Sequence, residues 1–155
     1  MRWQLARASQ TKDQAVDKSR DPKQMDRLGL RAEICVAKAL NVDFSAATLG
    51  IDGGGDLFIP IKHNDFFTAQ VKSTFHKNGN LIFKRNEKFN FDVAILVCAQ
   101  TQEPDCDYFE IAGALGINDI NTAKYEADMG KGGMWRVDRE DLRPVCELWN
   151  HIQQQ

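Results

Sequence analysis

Two short segments constrain this chain more than any other part of it. The first is Gly53-Gly54-Gly55-Asp56, followed by the apolar run Leu57-Phe58-Ile59. The second is Phe66 to Ser73, which ends in Gln70-Val71-Lys72-Ser73. Both read as β-strands, and the polar residues Lys62 to Asp65 between them read as a turn, so the two strands pair antiparallel. Side chains alternate between the two faces of a strand. Gln70 and Lys72 therefore share one face, while Phe67, Ala69 and Val71 point the other way, toward a core. The pairing brings Asp56 near Gln70 and Lys72. A carboxylate, an amide oxygen and an ammonium gathered in this way suit a hard cation and a phosphate.

The segment before this pair reads as a helix. Asp21-Pro22 supplies a cap residue and a proline at the first helical position. Leu28, Ala32, Cys35, Val36, Ala39 and Leu40 then recur at helical spacing, and Asn41 is the expected stop. Glu33 lies about 60° from Val36 around the helix, on the flank of the apolar face. From that flank it either points a carboxylate into a cleft or covers the helix edge with its stem. Val42 to Leu49 is a weak strand, and Gly50 to Gly55 is a loop containing Asp52. The glycines enter a strand rather than a helix, so they form no nucleotide-binding P-loop.

Beyond the pair, Pro60 cannot donate to a ladder, which puts its strand at an edge or a bulge. Lys77-Asn78-Gly79-Asn80 is a hairpin-turn signal, with Leu81 to Arg85 as the returning strand. Val93 to Ala99 is uniformly apolar and of strand length, the pattern of a strand buried on both faces. Tyr108 to Ala112 is a further strand. Short helical possibilities follow around Ile120 to Ala127, then glycine-rich residues 130–133, a last short strand at Met134 to Val137, and a helical turn at Asp138 to Leu142 halted by Pro144.

Over about residues 22 to 112, this order of elements resembles the PD-(D/E)XK nuclease superfamily. The order is a helix with Glu33, a strand with Asp56, a strand with Gln70-Val71-Lys72, and an apolar strand. It is most similar to the small Gln-x-Lys members, which include a cyanobacterial intron-homing enzyme. Two positions depart from the usual pattern: Gln70 stands where a glutamate is common, and Gly55 stands where a proline is. The resemblance implies an α/β fold with a restriction-endonuclease-like core, a mixed central β-sheet flanked by helices. It also implies a Mg2+-dependent endonuclease (Mn2+ as substitute) that hydrolyses double-stranded DNA in a homing, restriction or junction-resolving role. Glu33, Asp56, Gln70 and Lys72 are the implied catalytic residues. Asp56, Gln70, the Val71 carbonyl and Glu33 are the implied metal contacts. Small members generally dimerise or tetramerise, so a homodimer or homotetramer is expected. The alternative is a DNA-binding module that keeps the fold without cutting.

Charge distribution bears on the partner. Residues 1–100 carry 15 Lys and Arg against 11 Asp and Glu, whereas residues 101–155 carry 5 against 11. Between residues 72 and 88 the basic side chains are Lys72, Lys77, Lys84, Arg85 and Lys88, and Glu87 is the lone acid. A phosphate backbone favours such a cluster; a solvated strand edge blunted by lysines gives the same pattern. Ser73 and His76 join the candidate DNA contacts, while His63 and Asp52 read as bystanders. With 155 residues, the chain suits residues 21–155 as one nuclease-like domain preceded by an N-terminal arm at 1–20. No apolar run approaches the roughly 18 residues of a membrane span. Cys35, Cys98, Cys106 and Cys146 form no Cys-x-x-Cys pair and read as free buried thiols in a cytoplasmic protein.

Overall fold

In the computed structural model the described residues are 22–42, 56–60, 66–101, 103, 108–127, 133–147 and 150. The side chains of Pro22, Asp26, Asp56 and Pro60 also lie outside the description, as do the arm at 1–20, residues 43–49 of the expected strand at 42–49, the loop at 50–55, the expected turn at 62–65 with His63, and Cys106.

The first described element is helix α1, Pro22–Ala39. Its stop falls where the sequence places it. Asn41 takes a left-handed φ of 55°. The Val42 N–H donates to the Ala37 carbonyl at 2.8 Å, and the Asn41 N–H to that of Lys38 at 3.1 Å. This is a Schellman motif, in which the last orphan carbonyls are satisfied once the chain turns through one left-handed residue.

Among the described residues seven strands follow: β1 Asp56–Pro60, β2 Phe66–Thr74, β3 Leu81–Lys84, β4 Val93–Ala99, β5 Phe109–Gly116, β6 Lys124–Glu126 and β7 Met134–Val137. Four of them make a mixed sheet in the order β1-β2-β4-β5. β1 runs antiparallel to β2, β2 parallel to β4, and β4 antiparallel to β5. Pro60 is the last residue of β1, which is an edge strand of this sheet among the described residues. β4 is central and every one of its residues is buried, as its unbroken apolar run requires. β5 is longer than its sequence signal. It passes Ala112 through a bulge, because Leu96 pairs with Gly113 while Val97 pairs with Ile111. At Gly113 the Leu142–Arg143 segment crosses so closely that a Cβ would stand 2.7 Å from Cβ of Leu142.

Three expectations need correction. The turn after β2 forms, with the Gly79 N–H donating to the His76 carbonyl at 3.1 Å, but it closes no hairpin. β3 pairs with β7, which pairs with β6, in a second antiparallel sheet. The reason is that β1 and β4 already occupy both edges of β2. The short helical possibility around residues 120–127 is met only at its start: a 3-10 helix spans Ile117–Thr122, and Lys124–Glu126 is strand β6. The thiols are not uniformly buried. Cys98 is buried, Cys35 partly so and Cys146 exposed, and all three are free.

The central sheet thus has two unlike covers. On one face α1 lays Ala32, Val36 and Ala37 over Leu57, Ile59, Ala69, Val71, Val93, Ile95 and Val97. On the other, Leu81, Phe83, Phe91 and Val137 pack over Ala94, Leu96 and Cys98. The expected helical flank is therefore present on one side, and among the described residues a second sheet covers the other. No described helix is long and apolar enough to cross a membrane.

Candidate active site

The register of β1 on β2 decides which residues can act together. Asp56 pairs directly with Gln70, and Leu57 with Ala69. Cross-strand partners share a face, and Lys72 lies two residues along from Gln70. Positions 56, 70 and 72 therefore occupy one face, the face toward the second sheet. Positions 69, 71 and 73 occupy the face beneath α1.

Lys72 is the best-anchored member of the set. Its Nζ stands 2.7 Å from Oε1 of Glu87, and the two side chains keep only 17% and 13% of their exposure. The same Nζ lies 5.5 Å from the centroid of the Phe83 ring, close enough for a cation–π contribution. Phe83 is itself fixed: it stacks on Phe91 at 5.8 Å between centroids and meets Phe89 edge-on at 5.1 Å. The lysine stem thus crosses an aromatic floor, and the ammonium ends against a carboxylate. Glu87 is held locally. Its N–H donates to the Lys84 carbonyl at 3.1 Å, and its Oε1 also accepts a long 3.4 Å contact from the Lys84 N–H. The chain turns at 84–87 and delivers the acid back over β2.

Two acceptor atoms on this side are buried and accept no hydrogen bond among the described residues: Oε1 of Gln70 and Oε2 of Glu87. Leaving a buried acceptor unpaired costs on the order of 1–3 kcal/mol. Such an atom fits a ligand position better than a packing position. Among the described residues no three His, Cys, Asp or Glu side chains gather as a metal set.

The remaining expected residues separate. Glu33 is fully buried, but its helix packs on the Ala69–Val71 face, so it approaches the sheet from the side opposite Lys72. Ser73 is also buried, at 6% exposure, on the helix side. It faces the interior, which does not fit the expected surface contact to a phosphate. His76 is half-buried, and its backbone N–H donates to Oγ1 of Thr74 at 3.0 Å. Lys77, Lys84, Arg85 and Lys88 are exposed, as a nucleic-acid contact requires. Val71 is buried within β2 and pairs with Ile95.

Glu87 is the residue that sequence reasoning missed as part of the site. The available signal was its place as the lone acid in the basic stretch. Nothing in a 15-residue separation announces a contact with Lys72.

No family model, curated protein or solved structure matches this chain. What stands is the molecule's own geometry: an α/β fold with a mixed four-stranded sheet and, on one of its faces, an anchored lysine and two buried acceptors that accept no hydrogen bond among the described residues.

Proposed function

We propose that this protein is a divalent-metal-dependent endonuclease acting on double-stranded DNA, with a restriction-endonuclease-like core. The observation that carries the reading is the register that sets Asp56 opposite Gln70, with Lys72 two residues on. Phosphodiester hydrolysis needs negative charge neutralised on the phosphoryl oxygens and an attacking water oriented and deprotonated. A bound Mg2+ or Mn2+ supplies the Lewis acidity. Asp56, Oε1 of Gln70 and the Val71 carbonyl are the groups assigned to hold it. The Gln70 oxygen fits because it is buried and accepts nothing from the described protein. Lys72 offsets charge on the scissile phosphate and orients the attacking water. Lys77, Lys84, Arg85 and Lys88 track the backbone phosphates. Glu33 receives no metal contact in this reading, because α1 lies over the other face. Gln70 in place of an acid removes one negative charge, which weakens metal affinity and makes binding lean on the substrate phosphate. Like other small enzymes that cut both strands, the protein is assigned two copies per site.

Incubation with a library of random duplexes and Mg2+ or Mn2+ tests this. Wild type nicks DNA, and Lys72→Ala cuts at least about a hundredfold more slowly while still binding. No nicking with either cation ends the nuclease reading.

The Lys72–Glu87 ion pair favours a second reading, a DNA-binding module that does not cut. A lysine already neutralised by a carboxylate has less charge to offer a phosphate. Titration calorimetry that detects no divalent cation in the presence of DNA supports that alternative.

A further inference from the structure

Sequence logic places the chemistry on β1 and β2, but the structure adds a third element, the turn after β3. Lys72 is long and flexible, and its usefulness depends on where the ammonium stands. A misplacement of about 1 Å at a reacting group costs on the order of a hundredfold in rate. Among the described residues three features fix this ammonium: the 2.7 Å contact to Oε1 of Glu87, the Phe83 ring at 5.5 Å, and burial of most of both charged side chains. Glu87 is in turn held by the backbone turn to Lys84, so it is not a passing surface partner. Its second oxygen accepts no hydrogen bond among the described residues, and its first takes a short contact from the lysine and a long one from the Lys84 N–H.

We propose that Glu87 is a positioning residue of the nuclease: its carboxylate holds the Lys72 ammonium over the Phe83 ring, so that the amine meets the scissile phosphate without first being ordered. The inference rests on the nuclease reading and deepens it. It makes Glu87 act through Lys72, not on DNA or the cation. Removing the carboxylate therefore slows cutting but leaves DNA affinity alone. It also has no further effect once Lys72 is gone, because residues that act as one unit are not additive.

The test is single-turnover cleavage of a random-duplex library with Mn2+ by wild type, Glu87→Gln, Lys72→Ala and the double variant. Fluorescence anisotropy reads DNA binding, and thermal melts verify folding. Glu87→Asp, which keeps the charge on a shorter stem, is included. The expected result is a ten- to a hundredfold slower Glu87→Gln, on the order of the misplacement cost, with an unchanged DNA Kd. Glu87→Asp lies between it and wild type, and the double variant is no slower than Lys72→Ala. Glu87→Gln cutting at the wild-type rate overturns the proposal while the nuclease reading stands. So do defects that multiply in the double variant, or a loss of DNA affinity on removing the Glu87 charge. Failure of wild type to cut with either cation overturns both.

Discussion

The two faces of the central sheet were built under different rules. The centre of the face beneath α1 packs Ala32 and Val36 against Val71, Ile95 and Val97, all at 1% exposure or less. The opposite face begins the same way, with Ala94, Leu96 and Cys98 packed under Phe83 and Phe91. Toward β1, however, it carries polar groups at 70 and 72, and it admits a charged pair. The helix-side face is mostly apolar but also takes in Glu33 and Ser73; the other face accepts the cost of a partly buried ion pair. A buried ion pair is weak evidence of a stabilising role, because desolvation offsets much of the attraction. That cost makes sense where the charge has chemistry to do.

The largest expected effect breaks the apolar face. Ile95→Ala removes a buried branched side chain from the centre of that packing and costs about 4 kcal/mol, read as a lower urea midpoint. Next comes the polar face. Lys72→Ala reduces cutting by at least about a hundredfold, the scale of a lost electrostatic stabiliser. It also leaves the Glu87 carboxylate without its lysine, which costs about 2 kcal/mol of stability. If that variant instead gains stability and keeps cutting, the two faces do not differ in purpose.

A smaller effect tests whether the basic residues beside the polar face meet phosphate. Replacing Lys84 and Arg85 together by Ala lowers the slope of log affinity against log salt by about two, roughly one per lost phosphate contact. An unchanged slope assigns them to an ordinary solvated edge.

The smallest effect reads burial through thiol chemistry. Burial pushes the Cys98 thiol up from its ordinary value of 9.0, against a lesser downward pull from Arg139; Nη1 of Arg139 donates to Sγ of Cys98 at 3.6 Å. Burial also raises Cys35, and Lys38 partly offsets it. Because the thiolate is the reactive form, of the three described cysteines exposed Cys146 alkylates first, Cys35 later and Cys98 last. The raised folded values contribute stability in full below the ordinary thiol range. That contribution is lost as pH rises past 9.0 through the raised values. Mass spectrometry of timed alkylation gives the order, and Cys98 reacting with Cys146 contradicts the closed packing beneath the second sheet.

Much of the fold was legible because it is local. The 3.6-residue recurrence from Leu28 to Leu40, ended by Asn41, specifies α1 and its cap without any partner. The apolar run at 93–99 specifies a strand buried on both sides, and period-two alternation alone puts Gln70 and Lys72 on one face. Three other features belong to tertiary structure. β3 could not join β2, because a strand has two edges and both were taken; no property of Leu81 to Lys84 states this. The side from which Glu33 approaches depends on which face α1 covers, which helix periodicity leaves open. The ion pair of Lys72 with Glu87 depends on where a turn 15 residues away returns the chain. Local pattern determined what each segment is and which residues it presents together. Competition among segments for strand edges and sheet faces, a long-range matter, decided which presented groups met.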